Sequence, residues 1–143
     1  MLRCRVNKKI FVLLVLLISG VAFVNGQVPI STATVVNTFP HDPNAFTQGL
    51  VFAQGQLYEG TGRNGQSSLR RVALGSGEIL QRSNLNARYF GEGITIKDGK
   101  VYQLTWQSQV GFVYDLKSFK LEKTFLLPGE GWGITHDGKH LIV

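Results

Sequence analysis

The sequence is short of cysteine, proline and charge. Its single cysteine, Cys4, lies among the first few residues, so no disulfide can close within the chain and core packing must hold the fold. Four prolines and 17 glycines in 143 residues exclude a collagen-like repeat. The glycines are scattered among apolar runs, which is the pattern of short strands joined by tight turns. Charged residues make up 17%, beside 10% aromatic and 43% hydrophobic residues. That is below the roughly one-quarter charged content of ordinary domains and excludes wholesale disorder. Beyond residue 26 no stretch keeps an apolar stripe at 3.6-residue spacing, so coiled coils and helical bundles are excluded as well. There is no Asn-x-Ser/Thr acceptor for N-glycosylation. The length suits one modest domain and no second one.

The formal net charge of +6 invites nucleic acid or an anionic membrane, and its location decides the matter. Arg3, Arg5, Lys8 and Lys9 precede an apolar run of 15 residues from Ile10 to Val24, shorter than the roughly 20 residues that span a bilayer. Residues 1–26 therefore read as a secretory signal peptide, with Val24 and Gly26 at the spacing of a cleavage site and Gln27 as the first mature residue. The alternative is an uncleaved signal anchor with its basic end in the cytosol, which is the only membrane association expected. Either reading sends residues 27–143 into the secretory pathway: the lumen or membrane of the endoplasmic reticulum, the vacuole or the cell exterior. In those residues 11 basic side chains face nine acidic ones, a net charge of +2. The signs alternate and form no stripe, so no nucleic-acid partner is expected.

Three segments of the chain match one another: Phe46 to Tyr58, Phe90 to Tyr102, and Glu130 to Ile142. Gly49, Gly93 and Gly133 occupy equivalent places, 44 and 40 residues apart, within the roughly 40–50-residue period of four-stranded propeller blades. Each segment reads as strand, glycine-containing turn and strand, for example Ile94 to Ile96, Asp98-Gly99, then Val101 to Leu104. Between the segments lie further hairpins, Ser68 to Leu74 with Glu78 to Gln81, and Gly111 to Leu116 with Phe119 to Phe125. Four strands per period predict an all-β chain of the β-propeller class. A meandering β-sandwich is the alternative. The 117 residues after the leader hold two periods and the opening hairpin of a third, whereas a closed ring takes about four to eight blades. The expectation is thus a partial or truncated propeller over 27–143, about two and a half blades.

In a propeller the starts of the innermost strands converge on one mouth of the channel. The residues before the repeated glycines are Gln48, Glu92 and Trp132, and an amide, a carboxylate and an indole at one repeat position point to a site. A variable, solvated channel position is the plainer alternative. A carboxylate among aromatic side chains has its pKa raised toward working pH, which suits general acid–base chemistry and makes Glu92 the candidate. A salt bridge from Glu92 to Arg63 or Arg88 is the structural alternative. Trp106 and Trp132 either wall the pocket or belong to the core. His136 and His140 have an H-x3-H spacing, but they flank the Asp137-Gly138 turn, and no metal site is expected.

The motifs Pro40-His-Asp-Pro-Asn-Ala-Phe-Thr-Gln-Gly-Leu, Tyr58-Glu-Gly-Thr-Gly, Gly65-Gln-Ser-Ser-Leu-Arg, Phe90-Gly-Glu-Gly-Ile-Thr, Tyr102-Gln-Leu-Thr-Trp and Glu130-Gly-Trp-Gly-Ile-Thr run from about Val36 to the end of the sequence. This linked set resembles the plant and bacterial type of glutaminyl-peptide cyclotransferases, five-bladed propellers unrelated to the zinc-dependent animal type. The resemblance implies a cofactor-free transferase, monomeric when full length. It acts on peptides and proteins with an N-terminal glutamine, converting it to pyroglutamate with release of ammonia. It also implies Glu92 as the acid–base residue, and Phe46, Gln48, Phe90, Trp106 and Trp132 as the substrate-binding set. Members of the family carry further blades, with another channel Trp, an Asn and a Lys that this sequence does not reach. A non-catalytic secreted propeller that binds peptides or glycans is the reading from a different functional class.

Overall fold

Two-residue turns set the hairpins. Gln54-Gly55 has φ of 52° and 75°, and Asp98-Gly99 has φ of 51° and 70°. Two successive left-handed residues make the turn whose twist matches that of paired strands. In the computed structural model, which describes residues 28–143, these turns join β1 (Thr47–Ala53) to β2 (Gln56–Thr61) and β5 (Gly91–Lys97) to β6 (Lys100–Thr105). β3 (Ser68–Val72) and β4 (Ile79–Asn84) complete the first sheet, and β7 (Val110–Asp115) and β8 (Leu121–Leu126) the second. The strand orders are β1-β2-β3-β4 and β5-β6-β7-β8, antiparallel throughout. A short hairpin of β9 (Thr135–His136) and β10 (Leu141–Ile142) follows.

Among the described residues every helix or strand is a strand, and the all-β expectation holds as two propeller blades and the opening hairpin of a third. The segment 1–26, with Cys4, and Gln27 lie outside the described residues. Residues 28–36 belong to a separate unit, exposed and without regular structure.

The strand limits differ from the sequence reading in two informative places. The inner strands begin at Thr47 and Gly91, earlier than Leu50 and Ile94, because Thr47 pairs with Thr61 and Gly91 with Thr105 ahead of the apolar residues. Phe119, expected to open an outer strand, is instead a turn residue with φ of 56°. Its N–H donates to the Asp115 carbonyl at 2.9 Å, and its buried ring packs against Tyr58.

The core lies between the two sheets. Tyr58 and Leu69 of the first blade meet Ile94, Val101, Phe112 and Tyr114 of the second, each such burial removing apolar surface worth roughly 1.5–3 kcal/mol. The blades touch most closely along β1 and β5, and the repeated glycines explain how. A Cβ on Gly49 would sit 2.6 Å from the Ile94 nitrogen, and one on Gly93 would sit 2.5 Å from the Trp132 carbonyl oxygen. Gly93 also donates its N–H to that oxygen at 2.8 Å. Only a residue without a side chain lets the inner strands approach this far.

Candidate active site

The starts of β1 and β5 are irregular. Register shifts fall between Thr47 and Gly49 and between Gly91 and Ile94, so Gln48 and Glu92 occupy bulges, which re-aim side chains at the rims of sheets. The two then meet: the Gln48 side-chain amide donates to Glu92 Oε2 at 2.7 Å. Glu92 is only 4% exposed. Burial raises its pKa above the ordinary carboxylate value, and the Gln48 hydrogen bond pulls part of the way back, because low polarity penalises the anion while a donated hydrogen bond favours it.

A file of aromatic rings runs past this pair. Phe46 and Phe90 have centroids 6.1 Å apart, Phe90 and Trp106 5.7 Å, and Trp106 and Trp132 6.0 Å. The interplanar angles of 88°, 66° and 61° are the edge-to-face arrangement that ring quadrupoles prefer. Trp132 is 58% exposed and Phe46 43%, so both ends of the file are open surface and neither is ordinary core. Trp106 is oriented from outside: its indole N–H donates to Glu130 Oε2 at 3.1 Å, and Gln107 donates to the other oxygen of the same carboxylate. Gly62 leaves room behind the rings, since a Cβ there would meet Phe90 at 2.4 Å and the Gln48 side chain at 3.0 Å.

The alternatives weighed from the sequence resolve in geometry. Arg63 stacks over Phe46, 4.7 Å from its centroid, and Arg88 over Tyr89 at 4.6 Å, so neither arginine pairs with Glu92. His136 donates from Nε2 to the Ile96 carbonyl, and its Nδ1 accepts from Gly138, while His140 lies against Asp137. The two rings serve the β9–β10 turn and do not converge on a common point.

One buried polar network was not foreseen. The Glu59 carboxylate, 1% exposed, accepts from the Thr47 hydroxyl at 2.6 Å and from His41 Nε2 at 2.8 Å. Arg70 Nη1 lies 3.7 Å from it and donates to Asp42 at 2.9 Å. Thr47 is the residue before Gln48, so this network anchors the bulge that presents the amide. A cross-strand Glu59–Arg70 pair was the available signal. The arrangement as a whole offers a carboxylate able to take and return a proton, an amide donor beside it and an apolar wall.

A family model described as glutamine cyclotransferase matches residues 10–143. The chain belongs to the glutamine cyclotransferase family. Among curated proteins it is 42% identical over 115 residues to the glutaminyl-peptide cyclotransferase of Arabidopsis thaliana, covering 79% of this chain and 36% of that protein. Among solved structures it is similar to the glutaminyl cyclase of Myxococcus xanthus, with a TM-score of 0.68 and 36% identity, over 76% of this chain and 45% of that one. This glutamine cyclotransferase chain therefore spans less than half the length of both relatives. Its described blades are the part that carries Gln48, Glu92 and the aromatic file.

Proposed function

We propose that the corner formed by Gln48, Glu92, Phe46, Phe90, Trp106 and Trp132 binds the N-terminal glutamine of a peptide or protein and closes it to pyroglutamate, with residues 27–143 as the domain that carries it. The α-amine nitrogen attacks the γ-carboxamide carbon, forming the C–N bond of a five-membered lactam. The C–N bond to the amide nitrogen then breaks and ammonia leaves. Glu92 takes the proton that the attacking amine must lose and returns it to the departing nitrogen, so the proton balance closes without a metal ion or cofactor. Both reacting groups belong to one residue, and the wall need only hold them in a folded conformer. An apolar surround also favours the neutral amine, which is the nucleophile. Gln48 would hydrogen-bond the amide or the oxyanion that develops from it.

The observation that carries this reading is the buried Glu92 carboxylate held 2.7 Å from an amide donor beside exposed aromatic rings. The reading of residues 1–26 as a leader places the reaction in the secretory pathway. Ammonia release from Gln-peptides tests the assignment. Glu92→Gln keeps the shape and removes the base, and turnover should fall about 10²–10⁴-fold. Equal turnover by both proteins would remove Glu92 from the chemistry. Binding of peptides without turnover by the unaltered chain would favour a non-catalytic propeller.

A further inference from the structure

Beside Phe46 the first blade holds a cavity of about 230 Å³ lined by Asp42, Asn44, Gln66 and the arginines 63, 70 and 82. This is several times the roughly 30 Å³ that one water occupies in the liquid. Phe46 and Gly62 line it too, and these residues also border the aromatic corner, where Phe46 packs on Phe90 and Gly62 lies beneath Phe90 and Gln48. The cavity therefore adjoins the corner, with Phe46 and Gly62 as the wall between them.

The arginines of the cavity are not equally engaged. Arg70 is buried and held by Asp42 and Glu59. Among the described residues no carboxylate lies within ion-pair distance of Arg63 or Arg82. Arg82 donates from Nε to the neutral Asn84 side chain, and Arg63 stacks on the Phe46 ring. Arg63 also has φ of 75°, a conformation few non-glycine residues adopt. Its carbonyl accepts from Gln66 N, Ser67 N and Ser67 Oγ at 3.0, 2.9 and 2.8 Å, so the loop holds this backbone conformation while the side chain lies on Phe46. Strain kept at an exposed cation beside a cavity directs attention to a ligand.

We infer that this cavity takes the second residue of the substrate peptide and favours an acidic side chain there, through Arg63 and Arg82. The inference rests on the proposed seating of an N-terminal glutamine in the aromatic corner. Cyclisation uses the α-amine and the side chain of that residue, so its carbonyl carbon is the only way out for the rest of the peptide. A peptide leaving over Phe46 meets two guanidinium groups that lack carboxylate partners. One leaving over Trp132 meets the Glu130 carboxylate and would prefer a basic residue instead.

The test compares kcat/KM for Gln-Glu-Ala, Gln-Ala-Ala and Gln-Lys-Ala at low and high salt, using the full chain and its Arg63→Met, Arg82→Met and doubly substituted variants. The expected result is a preference of about tenfold for Glu over Lys, shrinking with salt, reduced in each single variant and absent in the double one. Equal rates, or a preference for Lys, overturn the subsite and leave the cyclisation reading standing. If no Gln-peptide is turned over, that reading fails, and calorimetric titration with pyroglutamyl-Glu-Ala and pyroglutamyl-Lys-Ala decides the subsite separately. Tighter binding of the Glu peptide that is lost in the double variant supports it, and equal affinity overturns it.

Discussion

Gly49, Gly93 and Gly133 hold one position of the repeat, yet alanine should have different effects at the three. At Gly93 a Cβ would sit 2.5 Å from the Trp132 carbonyl oxygen, and ordinary contact starts near 3.4 Å, so the strands must part by about 0.9 Å. Rigid backbone lies on both sides and no flexible side-chain tip can move aside. A parting of that size also takes the 2.8 Å hydrogen bond from Gly93 N to the same oxygen out of bonding range. Overpacking costs ~1–3 kcal/mol and the lost bond ~1 kcal/mol, so Gly93→Ala should destabilise the fold by roughly 2–4 kcal/mol. Gly49→Ala, 2.6 Å from the Ile94 nitrogen, should cost about 1–3 kcal/mol. Gly133→Ala has nothing within 4 Å and should stay within about 0.5 kcal/mol of the parent. Urea denaturation followed by far-ultraviolet circular dichroism measures all three. Equal losses at Gly93 and Gly133 would refute the argument, because they would mean that the repeat itself, and not the contact, selects glycine.

Two further substitutions probe the carboxylates. Gln48 donates to the ionised form of Glu92, and that hydrogen bond lowers a pKa that burial has raised. Gln48→Leu should therefore raise it further. Because the base must be ionised to work, activity is lost as pH falls through that pKa, and the acid limb of kcat/KM should move to higher pH. A limb that stays in place or moves to lower pH would contradict the pairing. Glu59→Leu strips Thr47 and His41 of their acceptor and leaves Arg70 with Asp42 as its one carboxylate partner beside the Ser68 hydroxyl, which should destabilise the fold by about 3 kcal/mol. A Tm unchanged within error would show that the buried carboxylate carries no such burden.

The hairpins were legible because their information is local. Asp98-Gly99 needs only its own two residues to form the turn, and the glycine repeat reports a close backbone approach at Gly49 and at Gly93. The placing of Gln48 and Glu92 at one strand start was legible for the same reason. The bulges that turn the two side chains toward each other arise from pairing with Thr61 and Thr105, which no local pattern states. The outer strand β4 runs on through the polar residues Arg82, Ser83 and Asn84, because they pair with Arg70, Leu69 and Ser68 of β3 and carry no apolar residue that would mark them as strand. Glu59 was missed because a buried acid depends on partners 12, 18 and 11 residues away, which its own neighbours in the sequence do not reveal.

The chain contains two tryptophans, and both, Trp106 and Trp132, stand in the aromatic file, 6.0 Å apart. All of its indole fluorescence therefore originates in the candidate site. A ligand that settles against those rings would change the emission of the unlabelled protein, so occupancy can be followed in real time and separately from turnover.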